Sequence, residues 1–194
     1  VRPDAPFKTV PELIKYAKAN PGKLNYPSGG SGTAAHLAGE LFKSMAGTFI
    51  THVPYRGSAA ALTGFMQGQI DLMFVELAAT LQHVQAGRLK ILAMGTKQRS
   101  SALPNVPTVA ETVPGYEVVL WFGTMAPRGT PQPIIDKLYK ASADVLKRAE
   151  VKERLAVVGG AEAVATAGKA FDARIASDIE RYKKVAAQVG IKPE

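Results

Sequence analysis

The sequence predicts an α/β fold with a doubly wound, mostly parallel sheet. Short apolar segments alternate with amphipathic segments of helical period, which is the pattern of right-handed strand–helix–strand crossovers. Glycine-rich turns follow several of the apolar segments, as expected where strands of such a sheet lead into helices. Of the 194 residues, 46% are hydrophobic and 21% are charged, which is typical of a globular protein.

Composition excludes several classes of protein. No apolar run reaches the roughly 18 residues of a membrane span, so direct membrane insertion is not expected. The net charge of +8 is scattered along the chain, whereas nucleic-acid binding requires clustered positive charge. The chain has no cysteine, which excludes disulfides, a thiol nucleophile and cysteine-ligated metal. No signal peptide is visible and the chain opens with Val1, so its start is interpreted as an internal position of a longer protein.

Strands and helices alternate in the first half of the chain. The expected strands are Leu24 to Tyr26, Phe49 to Val53, Ile70 to Phe74 and Leu89 to Met94. The expected helices run from Thr9 to Lys18, from Thr33 to Gly47, from Ser58 to Met66 and from Leu77 to Gln85. The first opens with a capping box of Thr9 and Glu12, and Ser58 is expected to cap the third. In the second helix, apolar residues recur at fourfold spacing from Leu37 to Met45.

Helices dominate the second half. A capping box at Thr108 to Glu111 lies in a loop-rich region, and an apolar stretch runs from Val118 to Ala126. The expected helices are one from Thr130 to Lys147, a shorter one carrying Val151, Leu155 and Val158, and a last one from Ala167 to Val189. Thr130 is expected to cap the first of these, with Pro131 at the first helical position. Its expected buried residues are Ile135, Leu138 and Leu146. A strand is considered at Ala161 to Val164, but the sheet that these helices need is not visible in the sequence.

Anion binding is predicted where strands lead into helices. In an open parallel sheet, ligands lie beyond the carboxyl ends of the strands. Here these ends carry the turns Ser28 to Thr33, Pro54 to Ser58 and Phe74 to Ala79. Glycines in the first turn let a ligand approach the backbone closely. Unpaired amides and the positive end of the helix dipole then favour an anion, and two such sites facing one cleft suit a carboxylate ligand.

Turns that merely connect strand and helix are the alternative interpretation. The glycine turn lacks the Gly-Lys-Ser/Thr of a nucleotide loop and the third glycine of a dinucleotide fingerprint. Gly30-Ser31-Gly32-Thr33 does not match the elbow of a serine nucleophile. His36, His52 and His83 lack metal-ligand partners at helical spacing, although a neutral His36 could donate to a carboxylate. Glu76 is interpreted as a cap of the next helix. No catalytic residue, cofactor or metal is predicted.

Longer motifs are more specific than any single turn. They are Val10 to Tyr26, Gly32-Thr33 with His36 to Phe42, His52 to Ser58, Leu103 to Glu111, and Trp121-Phe122-Gly123 with Ala126-Pro127. In sequence and in order, these segments resemble the tripartite tricarboxylate transporter receptor family, also called the Bug family. The resemblance runs nearly from end to end of the chain.

The resemblance implies a two-lobed, hinged receptor with the periplasmic-binding-protein (Venus-flytrap) fold, located in the bacterial periplasm. Such receptors pass di- and tricarboxylates, acidic amino acids or aromatic acids to the permease subunits of a tripartite tricarboxylate transporter. Residues 6–120 would form the second lobe. Residues 121–194 would form the crossover strand and C-terminal helices of the first lobe, whose remainder would be absent.

The resemblance also indicates ligand-binding residues. In the family, backbone amides and small hydroxyl side chains at helix starts hold the carboxylate. Together with the turns described above, this indicates Ser28, Ser31, Gly32, Thr33, His36, Tyr55, Gly57, Ser58 and Glu76. The chain departs from the family at Phe74-Val75-Glu76, where an aspartate usually follows the strand. The contact of that aspartate with an amine-bearing ligand is therefore not carried over.

Two other functions stay open on the sequence alone. A doubly wound α/β enzyme would hold an anionic substrate in the glycine-rich turn, and turnover would identify it. A truncated assembly module would instead form dimers that bury the apolar faces of the helices after Thr130.

Overall fold

The structure is a computed structural model that describes residues 1–100, 103–159 and 163–190. The chain divides into two compact units. The first unit comprises Val1–Val119 together with the C-terminal segment from Tyr182, and the second comprises Leu120–Arg181. The predicted division into lobes at 6–120 and 121–194 stays a prediction.

The first unit contains two strands and four α-helices among its described residues. The strands are β1 (Asn25–Ser28) and β2 (Thr51–Pro54), and the helices are α1 (Val10–Ala19), α2 (Ala34–Ala46), α3 (Ser58–Met66) and α4 (Leu77–Gln85). A short 3₁₀ helix spans Val109–Glu111 and carries the predicted capping box with Thr108. The four helices and the first two strands occur in the predicted order, whereas the two later predicted strands do not form.

Local sequence explains where α1 begins. The Thr9 hydroxyl accepts the amide of Glu12 at 3.3 Å, and the Glu12 carboxylate accepts the amide of Lys8 at 2.7 Å. Two amides at the helix start are thus satisfied by side chains, with the glutamate reaching one residue further back than in a standard capping box. The helix buries Val10, Leu13 and Ala17.

Two caps were predicted one residue too late or too early. Ser58 is the first residue of α3, and Gly57 is its N-cap, with φ of 100° that favours glycine. In the second unit, Pro131 rather than Thr130 is the N-cap of the helix beginning at Gln132. The Thr130 hydroxyl donates instead to the carbonyl of Pro127 at 2.8 Å.

The sheet is smaller than predicted. Within the described residues, regular pairing joins only β1 and β2, which run parallel with Tyr26 opposite His52 and Ser28 opposite Pro54. The predicted strand Ile70 to Phe74 does not form a ladder, although the Leu72 amide donates to Asn25 O at 3.3 Å. Two side-chain bonds also link this segment to β1: Asn25 N–H donates to the Asp71 carboxylate at 2.9 Å, and Asp71 N–H donates to Asn25 Oδ1 at 3.0 Å.

The predicted strand Leu89 to Met94 is also irregular. The Lys90 amide donates to Val1 O at 2.8 Å, and Met94 forms an isolated parallel bridge with Thr108. This segment therefore bonds to Val1 at one end and to Thr108 at the other, but it forms no continuous ladder. Both corrections have one cause, since side-chain and loop contacts satisfy backbone groups that a wider sheet would have paired.

The main core of the first unit lies between β1, β2 and helices α1 and α2. Tyr26 and Ile50 are fully buried, and Phe42 is almost so. Gly39 allows α2 to approach the sheet closely, because a Cβ atom there would lie 2.2 Å from Tyr26 Cε2. The buried face of α2 therefore runs through Ala38, Phe42 and Ala46, whereas the row from Leu37 to Met45 is only partly buried.

The second unit contains α5 (Gln132–Lys147), α6 (Ala149–Gly159) and the larger part of α7 (Gly168–Val189). The Trp121 indole donates to Asp178 at 2.8 Å, and its ring contacts Phe171 edge-on. The burial predicted for α5 is wrong for this chain, since Leu138 is 54% exposed and Ile135 is 37% exposed. The strand considered at Ala161 to Val164 begins outside the described residues.

Candidate functional site

The glycine-rich turn after β1 is held by its own hydroxyl groups. The Ser28 hydroxyl donates to Gly30 O at 2.8 Å and accepts from Gly30 N–H at 3.1 Å. The Thr33 hydroxyl donates to the same carbonyl at 2.8 Å. Gly30 and Gly32 have φ of 135° and 77°, conformations that side chains rarely adopt. The sequence therefore specifies both the direction of this turn and its internal hydrogen bonds.

The turn after β2 lies directly beside it. The Tyr55 amide donates to Ser28 O at 2.9 Å, and the Gly57 amide donates to Gly29 O at 3.1 Å. Glycine is required at position 29 because a Cβ atom there would lie 2.9 Å from Ser58 N. Parallel pairing of β1 and β2 thus continues past the strand ends and brings the starts of α2 and α3 together.

Both helix starts keep their amides unsatisfied by side chains. Thr33, the N-cap of α2, and Gly57, the N-cap of α3, form no side-chain capping bond. Neither helix, each fully described, has an acidic residue in its first turn. Free N–H groups and the positive ends of two helix dipoles are therefore available to an anion.

A small pocket lies at these helix starts. Its volume is about 50 Å³, whereas one water-sized group needs roughly 10–15 Å³. It is lined by Ser28, Gly29, Thr33, Ala34, Ala35, Ser58, Met73, Phe74, Val75 and Glu76. All three predicted strand-end turns contribute to it. The pocket has room for a carboxylate group and a neighbouring carbon, with apolar walls on the side of residues 73–75.

The structure brings together some of the predicted ligand-binding residues. Those that line the pocket are Ser28, Thr33, Ser58 and Glu76. Those absent from its described lining are Ser31, Gly32, His36, Tyr55 and Gly57. Glu76 occupies the predicted N-cap position of α4, but its side chain forms no capping bond. The Tyr55 ring packs over Gly64, and its hydroxyl donates to Gln69 at 3.3 Å.

Two histidine rings lie beneath the glycine turn. His36 and His52 stack with ring centroids 3.8 Å apart and planes inclined by 11°. The Gly32 amide donates to His36 Nδ1 at 3.1 Å, and Ser28 Oγ lies 2.6 Å from His52 Nε2. His36 is buried, so its ring supports the turn from below.

A buried carboxylate completes this polar network. Glu40 accepts from the Tyr26 hydroxyl at 2.7 Å and from Lys43 Nζ at 2.6 Å, and its Oε1 lies 3.9 Å from His36 Nε2. Burial by itself would raise the pKa of Glu40, but the bonds from Lys43 and Tyr26 hold that pKa below its ordinary value. Glu40 is therefore ionised and paired at neutral pH.

The two histidines are neutral in this environment. Burial, reinforced by the neighbouring His36 ring, lowers the pKa of His52 to about 4. Burial also lowers the pKa of His36, with Glu40 opposing and Lys43 supporting the shift. Stacked rings at this distance would repel each other if both were charged.

Sequence reasoning missed the residues whose contribution is made by the backbone. Ala34 and Ala35 line the pocket as the first two residues of α2. The alanine side chain has no functional group. A residue directly after the N-cap, however, has a backbone amide without an intrahelical partner. His52 was considered only as a metal ligand, because its contact with Ser28 depends on the strand register that places it opposite Tyr26.

A larger groove of about 460 Å³ lies elsewhere in the first unit. Its lining includes Ile14, Lys15, Lys18 and Met45, and the strand-end turns do not contribute to it. Its size exceeds that of the small pocket, but only the latter combines helix starts with converging polar groups. Among the described residues, no group of three or more histidine, aspartate or glutamate side chains could hold a metal ion. Nor does any described helix combine the length and apolarity needed to cross a membrane.

Comparison with known proteins identifies the family. The profile of the tripartite tricarboxylate transporter family receptor matches residues 1–191. The chain belongs to this family. Solved members of the family include solute-binding proteins, and the predicted family is confirmed.

Relatives of known sequence and structure support this membership. An uncharacterised family protein encoded between tcbD and tcbE in Pseudomonas sp. strain P51 is 35% identical over 187 residues, which cover 94% of this chain and 54% of the relative. The R. palustris protein Rpa4515, solved with adipate, is 36% identical with a TM-score of 0.85, covering all of this chain and 65% of that one.

Two further structures extend the comparison. A periplasmic transporter protein is 35% identical with a TM-score of 0.87, covering 99% of this chain and 64% of that one. MatC from Rhodopseudomonas palustris, with bound malate, is 28% identical with a TM-score of 0.78, covering 95% and 64%. These likenesses confirm the periplasmic-binding-protein fold. The chain spans about half the length of the curated relative and just under two thirds of the solved ones.

Proposed function

We propose that the chain is the larger part of a receptor that captures a small organic carboxylate in the bacterial periplasm. The receptor would deliver this ligand to the membrane permease subunits of a tripartite tricarboxylate-type transporter. The observation that carries the proposal is the convergence of two uncapped helix starts, those of α2 and α3, on one pocket of carboxylate size.

The donors in this proposal are peptide N–H groups. Ala34 and Ala35 at the start of α2 and Ser58 at the start of α3 line the pocket. A carboxylate accepts two or more such hydrogen bonds, and bonds to a charged group are worth about 1.5–3 kcal/mol each. The Ser58 hydroxyl adds a side-chain donor, whereas Ser28 and Thr33 already bond within the turn.

The small pocket would hold only the carboxylate of the ligand, so the surfaces outside it would distinguish one carboxylate ligand from another. With about 50 Å³, the pocket accommodates one carboxylate group, and the rest of the ligand extends outward past Phe74 and Val75. The exposed carboxylate of Glu76 at the same pocket would repel a second ligand carboxylate placed nearby. A dicarboxylate would therefore bind with its distal group directed away from Glu76. The complexes of relatives with adipate and malate, both dicarboxylates, support this ligand class.

A thermal-shift series on the full chain tests the proposal. Adipate and malate are compared with their dimethyl esters, which keep the carbon skeleton and remove the charge. Binding to the folded state raises the melting temperature in proportion to the logarithm of ligand concentration. We expect the acids to stabilise the protein and the esters to leave it unchanged. Equal shifts with acid and ester, or none with any carboxylate tested, would contradict the proposal.

A further inference from the structure

Neither histidine ring under the glycine turn lines the carboxylate pocket, yet both contact the turn that forms it. Carboxylate binding by amides does not itself require an imidazole. The arrangement of donors and acceptors around the two rings shows what they contribute.

His36 has a defined tautomer. Its Nδ1 accepts the Gly32 amide at 3.1 Å, so this nitrogen carries no proton. The proton of the neutral ring then resides on Nε2, which points toward Glu40 Oε1 at 3.9 Å. Adding a proton to Nδ1 would set two donors against each other and break the bond to Gly32.

His52 has the matching tautomer. The Ser28 hydroxyl has one proton and two lone pairs. Its proton goes to Gly30 O, and one lone pair accepts Gly30 N–H. With Ser28 Oγ bonded to Gly30 in this way, its remaining lone pair faces His52 Nε2 at 2.6 Å, which fits a protonated Nε2 as the donor. His36 is therefore neutral because its Nδ1 accepts a hydrogen bond, and burial keeps His52 neutral near pH 7 by lowering its pKa to about 4. Each ring contacts a different point of the same turn.

We propose that His36 is a positioning residue of the carboxylate site, whose unprotonated Nδ1 holds the Gly32 amide, and that protonation of this nitrogen releases the turn. The effect on ligand affinity rests on the proposed function. The coupling between His36 and Gly32 does not, and it can be measured without any ligand.

Several charged or titratable groups surround the contact between His36 and Gly32. Glu40 and Lys43 act from α2, Tyr26 from β1, and the His52 ring from β2. Tyr116 lies behind Tyr26, with its hydroxyl bonded to Ala38 O. Burial lowers the pKa of His36, and Lys43 adds to this while Glu40 opposes it. The neutral, turn-holding form is therefore favoured near pH 7, and release is expected on acidification below the ordinary histidine range.

The first test is an NMR pH titration of the wild-type protein. We expect the Gly32 amide resonance to shift with the same midpoint as the His36 ring protons. We also expect its protection from exchange, measured relative to the intrinsic exchange rate at each pH, to fall below that midpoint. A Gly32 resonance that does not respond to His36 titration overturns the proposal. This outcome is independent of carboxylate binding.

A matched pair of variants provides the second test. In His36→Asn the side-chain oxygen can occupy the position of Nδ1, whereas in His36→Gln it reaches the position of Nε2. Both remove the ring stack and the titration. We expect the asparagine variant to keep the Gly32 amide protected from exchange and the glutamine variant to lose that protection.

Adipate affinity is then measured for both variants between pH 7.5 and 5. The asparagine variant is expected to bind about fivefold more tightly than the glutamine variant, as for one net hydrogen bond. Its affinity should also fall less with acidification than that of the wild type, with titration of the ligand common to all three proteins. Equal Gly32 protection and equal affinity in the two variants would refute a positioning role. If the wild type binds no carboxylate while the Gly32 coupling is present, the proposed function fails and the coupling stands.

Discussion

At the scale of single residues, Gly39 sets the distance between α2 and β1. Replacing glycine by alanine within a helix normally stabilises it by about 0.5–1 kcal/mol. Here the added Cβ would lie 2.2 Å from the Tyr26 ring, and both Gly39 and Tyr26 are buried. We expect Gly39→Ala to destabilise the protein by about 1–3 kcal/mol, as overpacking does. Urea denaturation measures this, and a stabilised variant would show that α2 does not approach the ring so closely.

His52 makes stability depend on pH. Its pKa is lowered from 6.5 to about 4 on folding, so the unfolded chain binds more protons between these values. Stability is therefore unaffected above pH 6.5, falls as pH drops toward 4, and then levels off for this group. We expect His52→Gln, whose amide can still donate to Ser28, to lose less melting temperature than the wild type between pH 6.5 and 4.5.

The wild type is the reference over the same pH range. If His52→Gln and the wild type give the same pH profile of melting temperature, burial of a neutral His52 is not a source of acid sensitivity.

At the scale of elements, the pair Asn25 and Asp71 ties an irregular segment to β1. The Asp71 carboxylate accepts the partly buried backbone N–H of Asn25 at 2.9 Å, and Asp71→Ala removes this acceptor. An unsatisfied group of this kind costs about 1–3 kcal/mol. Asp144→Ala is the control, since Asp144 is exposed and lies 3.7 Å from Lys147 in a surface pair worth at most about 1 kcal/mol. Similar denaturation midpoints for both variants would contradict the role assigned to Asp71.

This pair also shows where sequence reasoning succeeds and where it stops. Helix positions were predictable because Thr9, Glu12 and Gly47 act locally, on backbone groups within one turn. The irregularity of 70–74 was not, since it depends on a bond between residues 46 positions apart. Apolar runs indicate that a segment is extended and buried, but not whether backbone or side chain satisfies its amides.

The candidate site follows the same division. The strand-end turns were predicted from glycine and hydroxyl residues, and the pocket lies among them. The predicted contacts of Gly32 and His36 with a ligand depended on where their polar atoms point. The structure shows these atoms bonded to each other, a pairing that chain order alone does not reveal.

At the scale of the whole molecule, apolar side chains on α5 remain uncovered. Ile134, Leu138 and Tyr139 are 50%, 54% and 44% exposed, and they lie on one side of the helix. Exposed apolar patches favour association in solution. We expect the chain to self-associate with increasing concentration and the double variant Ile134→Lys, Leu138→Glu to do so less.

Light scattering measures the association, and thermal unfolding provides the control. Substitutions at exposed positions usually change stability by less than about 0.5 kcal/mol. The double variant should therefore unfold at nearly the same temperature as the wild type. Unchanged association in a folded variant would show that this face of α5 is not the contact surface.

In the proposed function, peptide N–H groups at the start of α2 bind the carboxylate, and a proline substitution can remove one of these groups without adding a charge or a polar group to the pocket. Proline is well tolerated at the first position of a helix, and the backbone of Thr33, with ψ of 159°, suits a following proline. Ala34→Pro deletes a pocket amide. Ala149→Pro makes the same change at the first residue of α6, after Arg148 with ψ of 134°.

Isothermal titration with adipate compares the two proline variants with the wild type. Loss of one hydrogen bond to a charged group should weaken binding by roughly ten- to a hundredfold in Ala34→Pro. Ala149→Pro should bind as the wild type does. Wild-type affinity in a folded Ala34→Pro protein would contradict capture of the ligand by the amides at the start of α2.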